Sequence, residues 1–274
     1  LQTPYIYYKS YVFPKVMRFR GSHRLLLLLK KLAASAIAEI EDEPESIFNK
    51  GDWDNLIILD ACRHDLYEEL TDREVEQRVS LGSTTTEYIE RTFSEGDFSD
   101  VVYISANPFF SDKFLEKLIG GSDVFAAKFD VFNNSWDVEE GTVMPEDVAE
   151  AAKTAKKLFP EKKLIIHFIQ PHYPFIGFED EGFDESSKWL DDNSKNSVWD
   201  RAELGELGKE EVWTAYKGNL EKVLPYAEDL VEDLKGKTII TSDHGNLVGE
   251  NGLYGHPGRT DLKPLREVPW DVRE

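Results

Sequence analysis

Four short stretches of this chain carry side chains that could do chemistry together. Leu-Ile-Ile-Leu runs into Asp60-Ala61-Cys62-Arg63-His64-Asp65, Thr241 runs into Ser242-Asp243-His244-Gly245, and a third apolar run meets Gln170-Pro171-His172-Tyr173-Pro174. Gly82-Ser83-Thr84-Thr85-Thr86-Glu87 sets four hydroxyls in a row at the expected start of a helix. Two carboxylates with one or more histidines suit a divalent metal of intermediate hardness, Zn²⁺ or Mn²⁺ rather than Ca²⁺, which prefers oxygen throughout. A hydroxyl at a helix N-terminus facing such a metal would lose its proton readily and attack phosphorus or sulfur. The free N–H groups of that helix would meet the developing oxyanion. Each stretch has a plainer reading alone: an Asp after a strand is often an N-cap, Asp-His-Gly is short, and Thr-rich turns are usually caps. Their conjunction favours a site.

For these stretches to converge they must lie at one edge of a sheet, and open parallel sheets bind ligands beyond the carboxyl ends of their strands. Short apolar, β-branched runs predict strands over 55–59, 101–105, 164–169 and 237–241, with weaker ones at 78–81 and 124–127. Helices are expected over 64–70, 86–93, 112–119, 145–159 and 209–234. Runs such as Leu-Ile-Ile-Leu are apolar on both faces, as in central strands covered by helices on either side. The alternation predicts an α/β fold, a three-layer α/β/α sandwich with a mainly parallel central sheet. The polar stretch 179–208 has no clear period and is expected to form a long excursion over the active face.

The first fifty residues differ from the rest, which divides the chain into an N-terminal helical extension over 1–50 and a catalytic domain over 51–274. Lys9, Lys15, Arg18, Arg20 and Arg24 precede an amphipathic helical pattern over 25–40, and the acidic stretch 39–45 reads as a linker. Such a helix could rest on an acidic membrane surface, dock a partner, or pack across the domain. Its longest apolar run, 25–29, falls far short of the roughly twenty residues that span a bilayer. Neither a membrane span nor a signal peptide is expected, and the placement read from the sequence is cytoplasmic, with peripheral membrane contact through this helix.

Of 274 residues, 53 are acidic and 32 basic, a formal charge of −21. Duplex binding rests on Lys and Arg neutralising phosphates, so a general nucleic-acid binder is excluded. The acid-heavy composition is halophile-like, of the kind that stays hydrated where salt screens self-repulsion. A 41% apolar content supplies a core. The single cysteine, Cys62, excludes a disulfide framework and any multi-cysteine zinc site, and reads as a small buried hydrophobe. There is no phosphate-cradling glycine loop and no Gly-x-Ser-x-Gly elbow.

Over residues 53 to 270 the chain resembles the alkaline phosphatase superfamily, in particular its sulfatase-like and phosphoglycerol-transferase-like members. The resemblance rests on Asp60 with Arg63 and Asp65 behind it, a hydroxyl at a helix start, His172-Tyr173-Pro174, Ser242-Asp243-His244-Gly245, Gly255-His256 and Val268-Pro269. It implies that Asp60, Asp243 and His244 bind one metal together with the nucleophile. By register the nucleophile is Thr84, two residues after Gly82, with Thr85 next and Ser83 third. His172 would contact the transferred group or protonate the leaving group, and His256 matches a ligand of the second metal in two-metal relatives. Asn107 and Arg259 could hold a non-bridging oxygen of the ester, and each also has a structural reading, as turn former and surface ion pair. Arg63 is expected to pair with a carboxylate beneath the site, and His64 and His167 are left as core or surface residues.

The chain also departs from that pattern. It lacks the Cys-x-Pro-Ser-Arg of true sulfatases and the Asp-x-x-x-His pair of two-metal phosphatases, so one metal is expected rather than two. The expected function is metal-dependent hydrolysis or transfer of a phosphate monoester or diester by a Thr nucleophile, on a substrate that could be glycan- or lipid-linked. The alternatives are a catalytically silent domain that binds an anionic glycan or partner and, less favoured, a sulfate-ester hydrolase.

Overall fold

The computed structural model describes residues 52–178 and 197–274, together with Pro44. The N-terminal extension, with the helix and membrane contact assigned to it, lies outside the described residues apart from Pro44, as does most of the polar excursion after Phe178.

In chain order the strands are β1 (Asn55–Leu59), β2 (Glu76–Val79), β3 (Phe98–Ser105), β4 (Phe125–Asp130), β5 (Trp136–Asp137), β6 (Thr142–Val143), β7 (Lys163–Phe168), β8 (Thr238–Thr241), β9 (Leu247–Glu250), β10 (Leu253–Gly255) and β11 (Glu267–Arg273). Seven form one sheet in the order β2-β11-β8-β1-β7-β3-β4. The run from β8 to β4 is parallel, and β11 is antiparallel to both its neighbours. The mainly parallel α/β architecture is therefore as expected. The antiparallel β11 was not foreseen: its alternating Glu-Val-Pro-Trp-Asp-Val-Arg carries Pro269, a signal against a strand paired on both sides.

The helices are α1 (His64–Thr71), α2 (Thr85–Phe93), α3 (Asp112–Ile119), α4 (Pro145–Leu158), α5 (Val198–Glu203), α6 (Lys209–Asp233) and α7 (Lys263–Arg266). Helix α5 falls inside the stretch expected to be aperiodic, where Ser197 and Asp200 form a capping box. The layering follows from strand periodicity. In β1, Ile57 and Leu59 pack into one core with residues of α1, α4, α5 and α6, while Leu56 and Ile58 enter a second core with residues of α2. Strand β7 repeats this, with Leu164, Ile166 and Phe168 on the first face and Ile165 on the second. Burying each of these side chains contributes about 1.5–3 kcal/mol. The consequence for function is a rigid central strand, β1, whose carboxyl end is held between β7 and β8 by register: Ile58 lies opposite His167 on one side and Thr241 on the other.

Candidate active site

Asp60 follows β1, Asp243 and His244 follow β8, and His167 is the penultimate residue of β7, so parallel pairing alone brings four ionisable side chains to one edge. All four are fully buried. Oδ1 of Asp243 accepts from the backbone N–H of Ala61 (3.1 Å) and of His244 (3.0 Å), which turns its Oδ2 inward. Oδ2 of Asp60 accepts from Asn107 Nδ2 at 2.6 Å, so this amide is spent on holding the carboxylate. Ala61, the residue after Asp60 in the turn between β1 and α1, has φ of 60°. That left-handed geometry is unfavourable for a residue with a Cβ. It is held by the Asp243 bond and by the hydroxyl of Tyr216, which donates to the Ala61 carbonyl.

The two imidazoles are oriented by their outer nitrogens. His244 Nδ1 lies 2.7 Å from the Gly245 carbonyl, which can only accept, so Nδ1 carries the proton and Nε2 presents a lone pair. That Nε2 is 3.7 Å from Asp60 Oδ1 and 3.6 Å from Asp243 Oδ2. Gly245 is required here, since a Cβ would lie 2.1 Å from the Pro264 carbonyl oxygen. His167 Nδ1 is 2.9 Å from the Tyr103 hydroxyl, leaving Nε2 3.5 Å from Asp60 Oδ2 and 3.9 Å from Asp243 Oδ2.

Asp60 Oδ1, Asp243 Oδ2 and His167 Nε2 are buried without a hydrogen-bond partner among the described residues. An orphaned buried polar atom costs about 1–3 kcal/mol, more when charged, so three facing one another call for a common partner. Donor atoms of Asp60, His167 and Asp243 lie within 4.8 Å of one another, and the mixed carboxylate–imidazole set fits a divalent cation. Burial alone would raise the Asp60 pKa. The imidazoles of His167, His172 and His244 outweigh it and hold this carboxyl well below the usual carboxylate range, in its ligating form.

The hydroxyl-rich turn opens α2. Gly82 permits it, since a Cβ there would lie 2.5 Å from the Tyr88 nitrogen. Thr84 is the N-cap, its Oγ1 accepting from the Glu87 N–H at 3.3 Å. Thr85 is the first helical residue, and its buried Oγ1 lies 3.3 Å from His244 Nε2 and 3.5 Å from Asn107 Nδ2. With Nε2 unprotonated, the Thr85 hydroxyl is the donor. Ser83 faces away, with Oγ 3.1 Å from both Glu87 Oε2 and the Pro257 carbonyl. Glu87 Oε2 also accepts from the Ser83 N–H at 3.1 Å, and its Oε1 accepts from the Arg259 N–H. This carboxylate therefore ties the threonine turn to the loop that follows His256. The Arg259 side chain is exposed.

His172 and His256 lie beside this group. His172 Nδ1 donates to the Tyr173 carbonyl, so its Nε2 accepts from His256 Nε2 at 2.8 Å. The His256 ring centroid is 4.6 Å from that of His244 and the His172 centroid 6.5 Å. Burial is the main reason that both pKa values fall below the ordinary imidazole value, His256 the further of the two.

The structure thus brings Asp60, Asp243, His244, Thr85, Asn107, His172 and His256 together, with Thr84 and Ser83 turned to capping and bracing and Arg259 at the surface. Arg63 pairs with Asp65 and Glu250 behind the site, as its position after the strand suggested. The residue missed by sequence reasoning is His167. Its signal was the one ionisable side chain in Leu-Ile-Ile-His-Phe-Ile, next to the carboxyl end of a central strand.

No protein-family model matches the chain, and no curated protein does. Among solved structures it is similar to the integral membrane protein lipooligosaccharide phosphoethanolamine transferase A (EptA) from Neisseria meningitidis, at 16% identity and a TM-score of 0.51, over 92% of this chain and 54% of that one. It therefore spans about half the length of that protein. The soluble domain of the same transferase matches at 16% identity and a TM-score of 0.50, over 88% of this chain and 81% of that one. A protein in the alkaline phosphatase superfamily from Vibrio parahaemolyticus matches at 13% identity and a TM-score of 0.44, over 92% of this chain and 69% of that one. The first two likenesses show a shared fold. Among the described residues no helix is long and apolar enough to cross a membrane.

Proposed function

We propose that this chain is a metal-dependent phosphoester transferase or hydrolase whose nucleophile is Thr85. The observation that carries the reading is the Thr85 hydroxyl at the first turn of α2, 3.3 Å from His244 Nε2 and beside buried carboxylate oxygens that lack hydrogen-bond partners among the described residues. Asp60, Asp243 and His244, with His167 as a further donor, would hold a single divalent cation, Zn²⁺ or Mn²⁺. When bound, such an ion lowers the pKa of a hydroxyl beside it and neutralises charge on a phosphate oxygen. Register in the sequence favours Thr84 over Thr85. Its hydroxyl is committed to the Glu87 N–H, which supports moving the assignment one residue on.

In the proposed reaction Thr85 Oγ1 gives its proton to the neutral His172–His256 pair and attacks phosphorus in line, the P–O bond to the leaving alcohol breaks, and a phosphothreonine forms. The N–H groups of the first turn of α2 and its positive end face the phosphate oxygens. That pair, whose Nε2 atoms share one proton when neutral, then passes the acquired proton to the departing alkoxide. Water or an acceptor hydroxyl then attacks the phosphothreonine and frees Thr85. Asn107 acts by fixing Asp60.

EptA is a lipooligosaccharide phosphoethanolamine transferase, which supports a lipid- or glycan-linked phosphate ester as substrate. That protein is also an integral membrane protein, so the comparisons lend nothing to a cytoplasmic placement, and a membrane-associated site of action is the reading we adopt. The test is turnover of matched aryl phosphate monoester, phosphodiester and sulfate ester with added Zn²⁺ or Mn²⁺, for wild type beside Asp243→Ala. Metal-dependent cleavage of a phosphate ester that disappears in the variant is expected. Faster sulfate-ester cleavage, or a folded, metal-loaded protein inert on all three and on lipid-linked donors, would overturn the proposal.

A further inference from the structure

We infer that Asn219, in the middle of α6, is a positioning residue for His172. This rests on the role proposed above for His172, but its structural content does not. Asn219 is 1% exposed, and among the described residues the hydrogen bonds of its side chain go to the loop that carries His172. Its Nδ2 donates to the carbonyls of Pro171 (3.3 Å), His172 (2.9 Å) and Pro174 (3.0 Å), and its Oδ1 accepts from the Ile176 N–H at 2.9 Å. Two amide protons shared among three carbonyls, with the oxygen also engaged, leave this side chain fully used.

The loop needs an outside donor for a reason visible in its sequence. Gln170-Pro171-His172-Tyr173-Pro174 has prolines at two of five positions, and proline has no N–H to donate. The segment therefore cannot satisfy its own buried carbonyls by regular pairing, and an unpaired buried carbonyl is costly. The backbone of His172 is gripped on both sides: its N–H donates to the Asp60 carbonyl at 3.1 Å, and its C=O receives Asn219. The His172 main chain thus bridges the backbone of a proposed metal-binding aspartate and one helix side chain, and its Nε2 sets the position of His256. Nearby residues of α6 in the same core, Tyr216, Leu220 and Val223, are wholly buried, which fixes the height from which Asn219 reaches the loop.

The experiment compares Asn219→Asp, which keeps the acceptor for Ile176 but turns a carboxylate toward three carbonyls, and Asn219→Ser with a control, Leu220→Ala, which loosens the same helix without removing a bond to the loop. Two readouts are taken on the full chain: the imidazole ¹H–¹⁵N spectrum of its histidines, and kcat and KM on an aryl phosphate with Zn²⁺ or Mn²⁺. The expected result is that the ring signals of His172 and His256 move in both Asn219 variants while those of His167 and His244 stay. In the same variants kcat falls about 10- to 100-fold, the scale of an ångström-level misplacement, with KM and bound metal unchanged. Leu220→Ala should leave the His172 and His256 signals in place. Unmoved signals in a folded Asn219 variant, equal movement in Leu220→Ala, or failure of both Asn219 variants to fold while Leu220→Ala folds would each overturn the inference. Because the spectrum does not depend on turnover, moved signals in a protein without esterase activity would uphold the positioning of His172 and reject the proposed function alone.

Discussion

The hydroxyl of Thr85 lies 3.3 Å from Nε2 of His244, a residue 159 positions later in the chain. The contact joins the start of α2 to the end of β8. Its direction follows from the Gly245 carbonyl, which takes the other ring proton and leaves Nε2 as acceptor. Thr84, one residue earlier, has its hydroxyl turned to the helix N–H groups. Neighbouring threonines therefore divide the work of capping the helix and facing the ionisable cluster.

That division predicts different losses. Thr85→Ala should abolish phosphoester turnover while leaving the protein folded, whereas Thr84→Ala should keep most activity and lose about 0.5–2 kcal/mol of stability with its cap. Turnover and urea unfolding of the two variants distinguish them. Activity lost in Thr84→Ala and kept in Thr85→Ala would return the nucleophile to Thr84.

Glu87 should matter to both stability and activity although it touches none of the proposed ligands. Its two oxygens receive the N–H groups of Ser83 and Arg259, and charge-assisted bonds of this kind are worth about 1.5–3 kcal/mol. Glu87→Gln places an amide NH₂ against one of those donors. We expect it to lower the melting temperature and cut turnover roughly tenfold, by the misplacement argument applied to Thr85 and His256. Metal content should be unchanged; a variant that loses its metal would mean that Glu87 acts on the cation site instead.

Much of this arrangement was legible from the residues, because β1, β7 and β8 are short apolar runs ending in polar side chains, and parallel pairing forces such ends together. The strand at Asn55–Leu59 and the helix at Asp112–Ile119 have the bounds that their patterns predict. Three things were not legible. The choice between Thr84 and Thr85 turns on a helix start shifted by one residue, below what a sequence pattern resolves. His167 hides because a histidine inside an apolar strand has the same local pattern whether it packs or ligates. Asn219 has no local signal at all, since its partners lie in a loop more than forty residues away and only the tertiary fold supplies them.

Cation binding should contribute directly to stability. Asp60 Oδ1, Asp243 Oδ2 and His167 Nε2 have no hydrogen-bond partner among the described residues, so an ion that engages them in the folded state stabilises it by mass action, about 4 kcal/mol at a thousandfold excess over Kd. For a chain of this size that corresponds to roughly 8–16 °C in Tm. Dialysis against a chelator should lower Tm on this scale, and Zn²⁺ or Mn²⁺ should restore it. His167→Gln should weaken metal affinity if His167 is a donor. An unchanged affinity in that variant would leave His167 as a partner of Tyr103 only.

The His172–His256 pair predicts acid sensitivity in the chelated protein, where ligand protonation by competition with the metal plays no part. Both imidazoles have folded-state pKa values below the ordinary 6.5, chiefly through burial. Between 6.5 and those lower values the unfolded chain binds protons that the folded chain does not. Stability must then fall as the pH falls through that window, by up to about 1.4 kcal/mol per unit for each histidine. Above 6.5 both states are neutral at these positions, and the contribution is flat. Replacing His256 by Gln removes one titrating ring and lets the amide donate to His172 Nε2 in its place, so the slope of Tm against pH between 5 and 6.5 should lessen while the neutral-pH value changes little. A slope as steep in His256→Gln as in the wild type would assign the acid sensitivity to other groups, and stability that rises on acidification would contradict the burial of the pair.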